Sequence, residues 1–123
     1  MKQVDFVNAY TITNKLSQSE KLTISGKWAL YKLRKDLLPH YEFYVEESRK
    51  LFNEYESYYN PDNDAFDFES MDDAKVFKTK QDAIDDFEVE FSAEKPRVKL
   101  SDIPDITVPQ IEKLDNFIEF IPE

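Results

Sequence analysis

A chain of 123 residues with ten Phe, seven Tyr and 41% hydrophobic content falls in the size range of one domain and is too rich in core-forming side chains to be disordered throughout. Its net charge of −10 argues against a nucleic-acid reader, whose affinity rests on phosphate contacts, and leaves room for a protein that imitates nucleic acid. There is no Cys, no run long enough to cross a bilayer and no secretory signal pattern, so disulfides, thiol catalysis and thiolate metal sites are excluded and a soluble cytoplasmic protein is expected.

Residues 4–16 read as a first helix, with Phe6, Val7, Tyr10 and Leu16 near one side and Asn8, Thr11 and Thr13 weakening it. Residues 17–25 form a polar loop, and Gly26, the only glycine, is expected just before the next element. Residues 27–59 form one long helix. Leu30, Leu37, Tyr44, Leu51 and Tyr58 recur every seventh residue, and Tyr31, Leu38, Val45, Phe52 and Tyr59 recur beside them. Pro39 lies inside this span and predicts a kink, because the heptad columns keep their phase across it. Leu37, Leu51 and Phe52 are the expected core residues. The aromatic columns have two readings. The favoured one is the domain core, formed with the first and last helices, because the apolar face is wider than a strict coiled-coil seam. The other is an association face for a homo-oligomer, since Tyr44, Phe52, Tyr55, Tyr58 and Tyr59 offer more aromatic surface than short helices cover.

Residues 60–70 form an acidic loop opened by the turn cluster 60–64. Ser70, with Asp73 three residues on, starts a helix over 71–87. Phe87, Val89 and Phe91 alternate with Glu88 and Glu90, and a small β element is expected over 88–100. Thr107 opens a capping box with Gln110 for a closing helix over 107–121, whose apolar positions are Ile111, Leu114, Phe117, Ile118 and Ile121. The fold class is therefore α+β and predominantly helical, with one long kinked helix packed against shorter helices.

The motifs argue against ordinary enzyme machinery. Counted from Asp62, the acidic loop lacks the turn glycine and two ligand positions of a calcium-binding EF-hand. His40 is the only histidine, with no nucleophile at a telling spacing, and one His without Cys cannot complete a usual zinc site. A single glycine allows no phosphate-cradling loop or nucleophile elbow. No cofactor, no metal and no catalytic residue is expected, nor a membrane or direct nucleic-acid partner.

Charge is unevenly spread. Residues 1–41 carry seven basic against three acidic side chains, and residues 60–94 twelve acidic against three lysines. Lys27, Lys32, Arg34 and Lys35 crowd the first turns of the long helix, where the helix dipole disfavours them, and the 60–94 stretch is the expected compensation. Within that stretch Asp82, Asp85, Asp86, Glu88 and Glu90 are placed to project together as an interaction surface.

Asn8-Ala9, Lys21-Leu22, Asn53-Glu54-Tyr55, Glu88-Val89-Glu90-Phe91 and Phe117-Ile118-Glu119 resemble, in order and position, the small uncharacterised DUF1617-like proteins from phages and prophages of Gram-positive bacteria. The resemblance spans nearly the whole chain, with Pro39 departing from that pattern's uninterrupted helix. It implies a phage or prophage origin and a place in the bacterial host cell or on the virion, and carries over no catalytic residue. The expected function is a non-catalytic protein-interaction module, an accessory of virion assembly or of host takeover. The alternative is an acidic nucleic-acid mimic that inhibits a host nuclease or defence protein.

Overall fold

One helix of 31 residues organises the molecule. In the computed structural model, which describes residues 1–123, α1 (Gln3–Leu16) lies against α2 (Ile24–Glu54). A short hairpin of β1 (Tyr59–Asn60) and β2 (Ala65–Phe66) follows, then α3 (Met71–Asp85), β3 (Arg97–Lys99), α4 (Val108–Leu114) and β4 (Glu119–Ile121). The fold class is the expected one, α+β and mostly helical.

α1 buries Gln3, Phe6, Ala9, Thr13 and Leu16, spaced three and four residues apart, on the face it turns to α2. Its threonines do not break it, because Thr11 and Thr13 donate their hydroxyls to the carbonyls of Val7 and Ala9, at 2.9 and 2.7 Å. α2 starts three residues earlier than the pattern suggested. Thr23 is the cap, accepting from the Gly26 N–H at 3.1 Å, so Gly26 lies in the first turn. The helix continues through Pro39 as one α-helical element and ends at Glu54, not at residue 59. A 3-10 turn over Glu56–Tyr58 then leads into the hairpin, so the expected acidic loop contains a two-stranded ribbon pairing Tyr59 with Phe66 and Asn60 with Ala65.

Ser70 caps α3 as expected, accepting from the Asp73 N–H, and Thr107 and Gln110 form their capping box. The closing segment departs from expectation. α4 stops at Leu114, and Glu119–Ile121 form a strand parallel to Arg97–Lys99, with Val98 beside Phe120. Both geometries bury Phe117 and Ile118, so apolar spacing alone could not separate them. The expected β element is likewise divided: Lys2 and Glu88 make an isolated antiparallel bridge, and 97–99 is the strand.

Thirteen buried apolar side chains from α1, the loop after it, the first half of α2, β3, α4 and their flanking turns form the core, including Phe6, Leu30, Leu33, Leu37 and Phe117. Leu51 is buried outside that cluster, beside Ala83 and Ile84 of α3.

Candidate functional site

The two apolar columns of α2 have opposite fates. Leu30, Leu37 and Leu51 are buried and Tyr44 half-buried, with Gly26, Leu33, His40 and Glu47 interleaved on the same side. Ile24, Tyr31, Leu38, Val45 and Phe52 are 80, 50, 37, 43 and 36% exposed. From Tyr31 on, each outer residue follows Leu30, Leu37, Tyr44 or Leu51 by one position, and Tyr31, Leu38 and Val45 precede Leu33, His40 and Glu47 by two. At about 100° per residue the outer column lies about 100° to 160° round the helix from the inner positions. Trp28, 63% exposed, together with exposed Lys35, Glu42 and Arg49, fills the alternate positions. Spacings of three and four residues therefore run without a break from Ile24 to Phe52, the spacing of a coiled-coil seam with charge at three of its alternate positions.

The residues expected to form an association face are divided. Tyr44 donates its hydroxyl to Asp85 at 2.9 Å. Burial, and then Asp85, push its pKa above the ordinary value of 10.0. Tyr55 stacks edge-on against Phe68 and Phe77, Tyr58 lies against Phe68, and Tyr59 against Phe66, with centroids 5.2 to 6.0 Å apart. Lys80 sits 5.2 Å over the Tyr55 ring and pairs with Glu54. These tyrosines hold the hairpin and α3 onto α2. Phe52 packs against Tyr59 and Phe66 yet remains exposed on the outer column, so of the three expected core residues only Leu37 and Leu51 are buried.

The expected acidic surface is largely engaged within the chain. Asp82 pairs with Lys78 and Asp86 with Lys2, at 3.4 and 3.3 Å. Asp85 accepts from Tyr44 and from Gln81, and Glu88 pairs with the amino group of Met1 at 2.8 Å. Glu90 is exposed and has no such partner.

The basic cluster is not compensated as expected. The acidic stretch pairs with Met1, Lys2 and Lys78, while Lys27, Lys32, Arg34 and Lys35 make no ion pair within the chain. Lys27 and Arg34 flank Tyr31 and Leu22 around a surface depression. A second groove, of about 160 Å³, runs between α2 and α3 beside Phe43, Ala83, Ile84 and Phe87.

His40 is half-buried, with its ring 4.4 Å from that of Phe6. Burial lowers its pKa below the ordinary 6.5. No group of three or more His, Asp or Glu side chains is gathered where a metal ion could be held, and no helix is long and apolar enough to cross a membrane.

The heptad columns were legible in the sequence; which of them faced outward was not, because both are apolar. No family model, curated protein or solved structure matches this chain.

Proposed function

We propose that this chain is a non-catalytic protein-interaction module of phage or prophage origin, an accessory of virion assembly or of host takeover, working in the bacterial cytoplasm or on the virion. The origin rests on the motif resemblance. The interaction reading is carried by one observation, the outer column of α2: five apolar side chains at seven-residue spacing, the least exposed of them at 36%. Exposed apolar side chains repeated along one helix face, here with Lys35, Glu42 and Arg49 between them, are a mark of helix-face recognition. The nucleic-acid-mimic alternative has less support, because four of its five carboxylates are bound to groups of the same chain.

The test is a photo-crosslinking residue at Leu38 on the outer column, compared with the same residue at Val108, which is 67% exposed on α4. Irradiation of producing cells is expected to join another protein chain to position 38 and not to 108. No adduct at either position, or equal adducts at both, overturns the reading.

A further inference from the structure

We propose that the occupant of the outer column is a second copy of this chain, bound through α2 in an antiparallel, two-fold arrangement. This deepens the interaction reading and rests on it.

The argument is electrostatic. Up to Pro39, α2 carries Lys27, Lys32, Arg34 and Lys35 against Asp36 alone. Beyond Pro39 it carries Glu42, Glu46, Glu47 and Glu54 against Arg49 and Lys50; Glu46 and Glu47 lie beside Lys50 and Glu54 beside Lys80 of the same chain, while Glu42 has no such partner. The hairpin and its flanks then add Glu56, Asp62, Asp64, Asp67 and Glu69 with no basic residue before α3. Two copies side by side in parallel would set basic half on basic half. Antiparallel copies set the basic half of each α2 against the acidic half of the other. Lys32 and Lys35, which the chain leaves without ion pairs, thus come level with Glu46 and Glu42 of the second copy.

The seam obeys the same logic. Its charged positions alternate as Lys35, Glu42 and Arg49. The antiparallel register that sets Lys35 beside the second copy's Glu42 also sets Trp28 beside Arg49 and Leu38 near its own copy at the two-fold axis. A closed two-fold interface requires one self-complementary patch, which this is. Seven-residue spacing drifts by about 20° per heptad on a straight helix, so a left-handed wrap keeps the column in contact along its length.

Sedimentation of the full chain is expected to give a dimer at micromolar concentration. Changing Tyr31→Glu and Leu38→Glu together should raise the dissociation constant roughly a hundredfold or more, with the circular dichroism spectrum unchanged because both side chains are exposed. Lys35→Glu and Glu42→Lys should each weaken the dimer, and the double swap should restore it. Since the chain has no Cys, orientation can be read cleanly: Leu38→Cys should form a disulfide-linked dimer under mild oxidation and Tyr31→Cys should not.

A wild-type chain that stays monomeric up to about 100 μM, or a Tyr31→Cys variant that crosslinks as readily as Leu38→Cys, overturns the proposal. A photo-adduct at Leu38 with a different protein, from a monomeric chain, would sink the dimer and leave the interaction module standing. A monomer with no adduct sinks both.

Discussion

Gly26 is the one position where α2 cannot carry a side chain. A Cβ there would lie 2.2 Å from the Asp102 carbonyl oxygen. That carbonyl accepts from the Thr23 N–H at 3.2 Å, while Thr23 Oγ1 donates to the Asp102 carboxylate at 2.7 Å. The Thr23 hydroxyl, and then the Lys99 N–H, hold the Asp102 pKa below its ordinary value. Alanine ordinarily gains up to about 1 kcal/mol over glycine in a helix. Here overpacking against backbone costs about 1–3 kcal/mol and decides the sign. Gly26→Ala is expected to lower the urea midpoint; an increase would show that the 100–102 turn yields freely. His40 gives a pH dependence of definite sign. Its folded pKa lies below 6.5, so between the two values the unfolded chain binds more protons. Stability is then full above the unfolded pKa and falls as pH drops through it toward the folded one. In urea melts between about pH 7.5 and 5.5, the wild type should lose more stability than His40→Gln, and equal losses would refute the assignment.

At the level of elements, a cap declares itself locally, whereas two equally good apolar patterns are separated only by tertiary contact. Ser70 and Thr107 were legible as caps because a short polar side chain followed by an exposed first turn has few other uses. The cap at Thr23 was hidden by Ile24 and Ser25, which look like loop residues until Thr23 is seen to bond the Asp102 turn. The end of α2 was misplaced because Tyr55, Tyr58 and Tyr59 fit the heptad spacing while their rings serve Phe66, Phe68 and Phe77. Tertiary contact therefore stops the helix where periodicity would extend it. The segment 115–121 leaves the expected helix for a related reason. Phe117, Ile118 and Ile121 satisfy a helical stripe, but β3 offers a parallel partner that no local signal announces. On the candidate site, the sequence supplied the outer column and the basic cluster. It could not supply their exposure, which depends on α1 packing on the column of Leu30 and Leu37 rather than on the one beside it.

Across the whole molecule, burial is lopsided, and stability should follow it. Thirteen apolar side chains are buried together beneath α1, the first half of α2, the parallel strands and α4. The opposite end holds Leu51 as its one buried apolar residue, and α3 has none. What fixes α3 is half-buried or exposed: Phe77 against Tyr55, Phe66 and Phe68, the Tyr44–Asp85 hydrogen bond, and the Lys80–Glu54 and Lys2–Asp86 pairs. Exposed pairs contribute little, with a typical range of about 0–1 kcal/mol, so the aromatic cluster carries most of that attachment. Local opening of α3 and the hairpin should therefore cost less than global unfolding. In native-state hydrogen exchange, the amides of α3 are expected to exchange well before those around Phe6 and Leu33. Phe77→Ala should speed exchange in α3 and the hairpin while leaving α1 and the first half of α2 nearly unchanged. If all these amides accelerate together in the variant, the two ends unfold as one unit, and the lopsided burial does not translate into separable stability.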